Sequence, residues 1–430
     1  MKIGLIGGAG VRVPLLAGGL SRSDLGVTEM ALYDVDQERL QIIAGLAAQL
    51  APGARITTAA EPEAAIDGAD FVITSIRVGG IAQRASDEAA AIAHGIVGQE
   101  TVGPAGFAMA VRSIPAMVEY GRLVARLAPR AWMINFTNPV SIITQAIHQE
   151  TDARLIGICD TPMEIFEDAA HALGLPASVC AFDYFGLNHL GWLRDVSSEG
   201  VGQMHRLWDN DAALKAVYRS PLFEPERLRA LKVLPTEYLY YYYRPDVALA
   251  NLKKAGSSRG QAVARLTADL FQDLKTSSPQ DLVDVYQRYL AKRDASYMEL
   301  ESGATEPRLK PDWAELSGYD RIALFTVRAI ARNIGAVIPL DVANRGTLPF
   351  LDDEDIIEAQ CRVDRNGPAP LPVAPVPDHA RELITTVKRY ERATITAALT
   401  GDRRQLADAL ALNPLVPSTD TAERLVAAML

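Results

Sequence analysis

The chain has 430 residues, of which 49% are hydrophobic, and it carries a net charge of −10 at pH 7. A chain of this length usually divides into two or three domains. The negative charge and the lack of a Lys/Arg run argue against nucleic acid or an anionic membrane as a partner, so we expect a small soluble ligand. The three cysteines form no paired framework, and no apolar run reaches the ~18 residues that cross a bilayer, which predicts a reducing, cytoplasmic compartment.

The amino-terminal residues have the pattern of a dinucleotide-binding unit. A strand over 2–6 runs into a glycine turn and then an apolar helix over 11–20. Glycine lets the backbone approach a pyrophosphate, and the helix end supplies unpaired N–H groups. The spacing departs from G-x-G-x-x-G, so an ordinary strand-to-helix turn would look similar. However, a second strand over 30–34 ends in a carboxylate where a ribose would bind, with no arginine beside it, which favours NAD over NADP. The candidate cofactor residues here are Gly7, Gly8, Gly10 and Asp34.

Strands and helices continue to alternate up to about residue 175. Strands are expected over 55–57, 70–75 and 131–136 and from 155, and helices over 37–50, from 61, after 80, and over 107–127 and 163–173. This alternation predicts an α/β fold with a doubly wound parallel sheet of Rossmann type, as in lactate and malate dehydrogenases.

Polar residues are expected at the carboxyl ends of these strands, where parallel sheets bind ligands. Asn135 and Asn138 end one strand, and either could contact a ligand or cap the following helix. The glycine-rich loop 98–106 holds Gln, Glu and Thr, and such a loop beside a nucleotide fold is expected to contribute to a site.

The pattern of the sequence changes near residue 185, where segments with helical periodicity begin to dominate. We expect a Rossmann-type NAD-binding domain over 1–184 and a mixed, mainly helical α+β catalytic domain over 185–430. Five tyrosines within 238–243 cannot all be core, because each buried hydroxyl needs a partner, so some are expected to line a cavity. The sequence predicts an irregular loop over 303–313, a proline-rich stretch over 366–378, and helices over 261–274, 379–399 and 404–412.

Two soft or borderline metal ligands end apolar runs in the middle of the chain. Cys159, followed by Asp160, ends the strand that begins at 155, and His189 ends the run 181–187. A single Cys or His at a strand end is usually structural. Together, however, they would leave most coordination positions open, as suits a catalytic metal that binds substrate oxygens. We therefore expect one metal ion beside the dinucleotide.

Short motifs occur in a specific order along nearly the whole chain: residues 7–10 (GGAG), 76–80 (IRVGG), 98–103 (GQETVG), 135–139 (NFTNP), 159–160 (CD), 186–189 (GLNH) and 237–241 (EYLYY). With these motifs the chain resembles glycoside hydrolase family 4, the NAD- and metal-dependent glycosidases, and within it the 6-phospho-β-glucosidase branch. The resemblance implies hydrolysis of a 6-phosphorylated β-glucoside through transient oxidation at carbon 3. It also implies a homodimer or homotetramer.

The resemblance further implies a role for each matching residue. Cys159 and His189 would ligate a divalent ion, usually Mn²⁺, and Arg77 would contact the cofactor. Asp160 would assist departure of the leaving group. The remaining residues would be Tyr238 as the base at carbon 2, Glu100 beside it to increase its basicity, and Arg84, Asn138 and Arg259 as substrate-binding residues.

Two departures from the family pattern leave the substrate open. Many β-type members have Asn at the position of Asp160, whereas Asp is familiar among α-type members. The phosphate-binding part of the second domain is hard to match around 303–318. An α-glycoside or an unphosphorylated glycoside is therefore the alternative.

Two hypotheses that assign the chain to other functional classes also remain. The glycine turn and the Asn-Pro sequence are found in 2-hydroxyacid dehydrogenases, which need a catalytic His–Asp pair and no metal. A catalytically silent NAD- or sugar-binding regulator is the second, although the presence of Cys159, Asp160, His189 and Tyr238 together argues against it.

Overall fold

The computed structural model describes residues 1–218, 222–295, 299–303 and 318–430. Within these ranges the strands form one 13-stranded sheet, half parallel and half antiparallel. The expected loop over 303–313 lies outside the described residues except for Gly303. No helix in the described part of the chain is both long and apolar enough to cross a membrane.

The parallel half of the sheet confirms the predicted doubly wound fold. Its strands lie in the order β3-β2-β1-β4-β5-β6. The strands are β1 (Lys2–Ile6), β2 (Glu29–Tyr33), β3 (Arg55–Ala59), β4 (Phe71–Thr74), β5 (Trp132–Asn135) and β6 (Arg154–Gly157). The order reverses between β1 and β4, and ligands bind outside the carboxyl ends of the strands at such a switch point.

Helices cover both faces of this half-sheet. They are α1 (Val13–Arg22), α2 (Gln37–Leu50), α3 (Pro62–Ile66), α4 (Gly80–Ala93), α5 (Gly103–Leu127), α6 (Val140–Glu150) and α7 (Thr161–Ala172). The strands are apolar runs because both faces are buried; all four residues of β4, for example, are buried. α5 begins at Gly103, four residues before the predicted start, because Pro104 is well suited to a first helical turn.

The sheet continues beyond β6 as antiparallel strands, in the order β11-β12-β7-β8-β10. These strands are β7 (Cys180–Leu187), β8 (Leu190–Ser198), β9 (Val201–Gly202), β10 (Leu234–Pro235), β11 (Ala336–Ala343), β12 (Ile356–Asp364) and β13 (Gly367–Pro370). β11 joins the parallel half by pairing Asp341 with Gly157 of β6. One sheet therefore spans the predicted boundary at 184/185, and the division into two domains stays a prediction.

Helices from the second half of the chain complete the fold. They are α8 (Met204–Trp208), α9 (Asp211–Ala216), α10 (Pro225–Leu231), α11 (Tyr240–Tyr243), α12 (Pro245–Ala255), α13 (Arg259–Thr276), α14 (Leu282–Ala295), α15 (Glu299–Ser302), α16 (Gly318–Ala331), α17 (Asp378–Thr400), α18 (Arg403–Ala411) and α19 (Thr419–Met429). Several of these helices pack on helices of the parallel half, as α13 does on α4 and α16 on α1. Short 3₁₀ turns lie at Ala177–Val179 and Glu237–Leu239.

Candidate active site

A cavity of about 360 Å³ opens at the carboxyl ends of the parallel strands. Its wall combines the glycine turn, the loops after β4, β5 and β6, and side chains from the second half of the chain. Ten of the residues expected from the sequence line it: Gly10, Arg77, Arg84, Glu100, Asn138, Cys159, Asp160, His189, Tyr238 and Arg259.

The glycine turn supports this cavity from behind. Gly7 has a φ of +97°, and a Cβ there would lie 2.1 Å from the Ser75 carbonyl oxygen, so only glycine is accommodated. The N–H groups of Gly7 and Gly8 donate to the Tyr33 carbonyl at 2.9 and 2.8 Å. The turn is thereby held against β2, and its later residues, from Ala9 onward, reach the cavity.

Asp34 lies at the end of β2, behind the same turn. Its Oδ2 accepts a hydrogen bond from the N–H of Ala9 at 3.0 Å, and its Oδ1 accepts one from Asp36 at 3.0 Å. Gly7, Gly8 and Asp34 therefore shape the turn, whereas Gly10 contacts the cavity directly. A glycine turn that leads into the first turn of α1, with a carboxylate at the neighbouring strand end, suits a dinucleotide.

A cluster of buried charges forms one side of the cavity. The carboxylate of Glu100 pairs with Arg84 at 2.8 Å and also with Arg77. Arg84 in turn donates from Nε to Glu88 at 2.8 Å, and Glu88 accepts the N–H of Gly260 at 2.6 Å. Burial would raise the pKa of Glu100, but the charges of Arg84 and Arg77 outweigh it and lower the pKa to about 2. Glu100 is therefore ionised at neutral pH.

His189 occupies the two-residue turn between β7 and β8. Its φ of +61° is unusual for a residue with a side chain. Its Nδ1 lies 2.8 Å from the Thr101 hydroxyl, and its ring stacks on Tyr238 with centroids 3.7 Å apart and planes 5° apart. Burial lowers the pKa of His189 to about 3, against the opposing charge of Glu100, so the ring is neutral and can bind a metal.

Cys159 and Asp160 follow β6 on the same cavity wall. The Cys159 sulfur is 4.0 Å from the Asp160 carboxylate, and the residue is buried. Burial, followed by the negative charges of Glu358 and Asp160, raises the pKa of the thiol. A cysteine thiolate and a neutral imidazole are both donors that suit a transition metal, and both residues line this cavity. Among the described residues, no group of three His, Cys, Asp or Glu side chains is placed to hold a metal, so this pair would leave positions for substrate.

The structure distinguishes the two asparagines that the sequence left open. The side chain of Asn135 is fully buried; its oxygen accepts bonds from the Thr137 N–H and the Thr74 hydroxyl at 2.8 and 3.1 Å. This asparagine therefore holds the turn after β5. Asn138 lines the cavity, and its amide oxygen is buried without a partner among the described residues. Buried acceptors are usually hydrogen-bonded, so this oxygen is a candidate to receive a bond from a group bound in the cavity.

The tyrosine run divides between core and cavity, as expected. Tyr238 and Tyr241 line the cavity. The hydroxyl of Tyr240 reaches the Glu301 carbonyl at 3.5 Å, and that of Tyr243 accepts the Trp192 indole N–H at 3.1 Å. The short helix α11 thus turns successive rings to different sides.

Arg259 enters the cavity from the first turn of α13. A capping box between Ser258 and Gln261 fixes the start of this helix. The guanidinium group donates to the Arg293 carbonyl at 3.0 Å, and the residue is buried. Substrate contact by Arg259 stays a prediction, as do the roles assigned to the other site residues.

Sequence reasoning missed several residues of the site. Glu88 lies four residues after Arg84 on α4, and this helical spacing of opposite charges could have been recognised. Glu301 also lines the cavity, and its Oε2 is buried without a partner in the described chain. It reaches the site only through tertiary folding, and no local pattern marks it.

Comparison with known proteins agrees with this architecture. Residues 2–175 match the family 4 glycosyl hydrolase profile, and residues 184–416 match the C-terminal domain of that family. The chain therefore belongs to glycoside hydrolase family 4, and it is a glycoside hydrolase.

Individual relatives differ in their substrates. The 6-phospho-β-glucosidase of Escherichia coli (strain K12) is 30% identical over 451 residues, with 100% of this chain and 94% of that protein covered. The maltose-6′-phosphate glucosidase of Bacillus subtilis (strain 168) is 28% identical over 416 residues, covering 92% of this chain and 87% of that protein. A 6-phospho-α-glucosidase of Lacticaseibacillus paracasei (strain ATCC 334) also matches, at 28% identity, so the relatives include phosphoglucosidases named for both anomers.

Solved structures confirm the fold. The 6-phospho-β-glucosidase of Thermotoga maritima, solved with manganese, NAD⁺ and glucose-6-phosphate, has a TM-score of 0.83 and 25% identity, covering 100% of this chain and 97% of that one. Malate dehydrogenase from Plasmodium falciparum shares the fold at a TM-score of 0.53 and 14% identity, covering 93% of this chain and 99% of that chain. The predicted likeness to the fold of malate dehydrogenase is therefore confirmed.

Replacing Glu100 by Gln should destabilise the protein by about 3–5 kcal/mol at pH 7, because the largely buried Arg77 loses its ion-pair partner and the buried Arg84 keeps only Glu88 of its two. The pKa of Glu100 is about 2 in the folded protein against an ordinary value of 4.5. The stabilisation is therefore complete above pH 4.5 and declines as the pH falls towards 2. Urea denaturation at pH 7 and at pH 3.5 measures both effects.

The control for this variant is Glu119→Gln, which removes an exposed carboxylate 3.7 Å from Arg122. It should change the free energy of unfolding by less than about 0.5 kcal/mol. Equal stabilities of the two variants would contradict the importance of the buried cluster.

Proposed function

We propose that the protein hydrolyses a 6-phosphorylated β-glucoside with the help of NAD and a divalent cation, Mn²⁺ being the best candidate. The observation that carries the proposal is the shared cavity. It brings the buried thiol of Cys159, the neutral ring of His189 and the hydroxyl-bearing ring of Tyr238 to the site that begins at the glycine turn. Relatives with manganese, NAD⁺ and glucose-6-phosphate support the choice of cofactors and substrate.

Two parts of the cavity wall would hold these cofactors. The turn around Gly10 and the first turn of α1 would receive the NAD pyrophosphate, and Cys159 and His189 would ligate the cation. When bound, NAD supplies a hydride acceptor for sugar carbon 3, and the cation supplies a Lewis acid for the charge that develops when carbon 2 loses its proton.

The chain's own side chains would then move the protons. A ketone at carbon 3 acidifies the proton on carbon 2, and we assign its removal to Tyr238. The phenolate that this requires is favoured by positive charge nearby, and Tyr238 lies close enough to Arg84 for the two groups to interact electrostatically. Asp160 would protonate the departing glycosidic oxygen. Elimination, addition of water and return of the hydride then complete hydrolysis without net oxidation.

Asn138 and Arg259 would hold the sugar, since both line the cavity. The amide oxygen of Asn138 is buried without a partner and can accept a bond from a sugar hydroxyl. Arg259 brings a buried cation that suits an anionic group of the substrate. Glu100 would act on Tyr238 through Arg84, with which it is paired.

An α-phosphoglucoside is the second candidate. The observation that favours it is the carboxyl group of Asp160 on the cavity wall, where many β-type members have an amide. Relatives of both anomeric types match along most of the chain.

We further propose that the protein is a cytoplasmic homodimer or homotetramer. We also propose that it is divided into two functional domains near residue 184.

A panel of nitrophenyl α- and β-glucosides, with and without a 6-phosphate, tests the substrate. We expect release of nitrophenol from the phosphorylated β-glucoside only when NAD⁺, Mn²⁺ and a reductant are all present. Cleavage of the α-anomer or of the unphosphorylated glucoside instead would show that this compound represents the substrate of the protein. Net NADH formation from 2-hydroxy acids, or inactivity on every compound, would contradict the proposal.

Replacing Cys159 by Ser or His189 by Ala should abolish turnover, because each removes one of two protein ligands of the cation. Dissociation constants for Mn²⁺, measured by electron paramagnetic resonance of free Mn²⁺, should rise at least tenfold. NAD⁺ binding, measured by calorimetry, should change little because it depends on the glycine turn. Thr386→Val, an exposed change on α17, is the control. Normal Mn²⁺ affinity in both ligand variants would refute the site.

Replacing Tyr238 by Phe should suppress exchange of the carbon-2 proton, because the ring is kept and the basic oxygen is lost. Product formed in D₂O is analysed by NMR for deuterium at carbon 2. Tyr243→Phe is the matched control, since that tyrosine bonds to Trp192 outside the cavity lining. Deuterium incorporation at the wild-type rate in Tyr238→Phe would place the base elsewhere.

A further inference from the structure

We propose that Gln99 and Thr101 are positioning residues that fix the tautomer of His189, so that its Nε2 carries the lone pair for the cation. The inference rests on the proposed function, because it assumes that His189 is a metal ligand. It extends that proposal to two side chains that would not themselves bind the metal, and it follows from the directions of four hydrogen bonds.

The first step is the orientation of the Gln99 amide, which is buried. One end of this amide accepts hydrogen bonds from the backbone N–H groups of Thr101 and Val102 at 2.7 and 2.8 Å. Both partners are donors, so the atom between them must be the oxygen and not the nitrogen. The backbone thereby fixes which way the amide points.

The second step is the direction of the Thr101 hydroxyl. Its oxygen lies 2.9 Å from the same Gln99 oxygen and 2.8 Å from Nδ1 of His189. An amide oxygen only accepts, and a hydroxyl has a single hydrogen. That hydrogen is therefore donated to Gln99, and the hydroxyl oxygen is left to accept from the ring.

The third step follows for His189. Its Nδ1 must carry the proton that it donates to Thr101, and in a neutral imidazole the other nitrogen then has the free lone pair. Metal-binding histidines are commonly fixed in this way by a partner on the second ring nitrogen. Here that partner is a threonine hydroxyl, which is itself oriented by an amide and two backbone groups.

The backbone conformation of His189 and a stacking contact also restrict the ring. His189 sits in a left-handed turn conformation, and its face stacks on Tyr238 at 3.7 Å. The hydrogen bond to Thr101 lies in the plane of the ring, whereas the stacking contact lies on its face. The ring is thus held both in rotation and in tautomer before any cation binds.

The test uses the full-length protein without metal, with ¹⁵N-labelled histidine. The ¹⁵N shifts of a neutral ring show which nitrogen is protonated, and His189→Ala assigns its signals. We expect Nδ1–H in the wild type, loss of this preference in Thr101→Val, and its retention in Thr101→Ser, which keeps the hydroxyl. Mn²⁺ affinity should fall 10–100-fold in Thr101→Val and stay within about threefold of wild type in Thr101→Ser.

Controls separate tautomer loss from unfolding. Thr386→Val makes the same chemical change on the exposed face of α17, where the hydroxyl bonds only within its helix. Gln99→Glu keeps an acceptor oxygen and should keep Nδ1–H. NAD⁺ binding should remain normal in each variant that has folded.

Each outcome bears on one proposal or the other. An Nε2–H signal in the wild type, or an unchanged tautomer and Mn²⁺ affinity in Thr101→Val, would overturn the inference. If the wild type binds no Mn²⁺, the proposed function fails, whereas the ring signals of the metal-free protein still support or overturn the tautomer assignment.

Discussion

The ion pairs of Glu100 are the constraint on which the site depends. A carboxylate with little exposure to solvent is stable there because Arg84 and Arg77 both contact it. These pairs fix the middle of a loop whose two flanking residues, Gln99 and Thr101, form a hydrogen-bond chain that ends at His189. Breaking the ion pairs of Glu100 would therefore disturb the hydrogen-bond chain as well, because the residues that form it are the immediate neighbours of Glu100.

The turn that carries His189 is anchored from its other side by the antiparallel strands. Asn188 donates to Glu358 of β12 at 3.2 Å, and Tyr184 of β7 donates to the same carboxyl group. Burial raises the pKa of Glu358 to about 7, while these two donors oppose the rise. The extension of the sheet beyond β6 thus has a direct effect on the cavity, since it supplies a rigid support for a strained turn.

The position of the cavity explains how a dehydrogenase-like fold can serve a hydrolase. The switch point between β1 and β4 provides the glycine turn, and the next strand ends bring Asn138 and Cys159 to the same edge. The second half of the chain adds His189, Tyr238 and Arg259. In this chain, the second half therefore adds polar side chains to the edge of the sheet that carries the glycine turn, and a common fold acquires a different site in this way.

Much of the fold could be predicted from the sequence, because strand and helix periodicity in a parallel α/β sheet is local. The residues of β1 and α2 were placed correctly, and ten of the predicted site residues line the cavity. The long antiparallel strands β11 and β12 were missed. Their buried acids, Asp341 and Glu358, interrupt the apolar pattern, and the groups that oppose the effect of burial on them, Lys388 for Asp341 and Tyr184 for Glu358, are distant in sequence.

The sequence by itself determined the order of the nucleotide-binding elements, the family, and the types of donor available at the site. Only the tertiary structure decided that Asn138 and not Asn135 faces the cavity, that Glu100 is shared by two arginines, and that Thr101 orients His189. Those outcomes depend on contacts between residues up to 88 positions apart. Local sequence patterns carry no information about such distances or about the direction of a hydrogen bond.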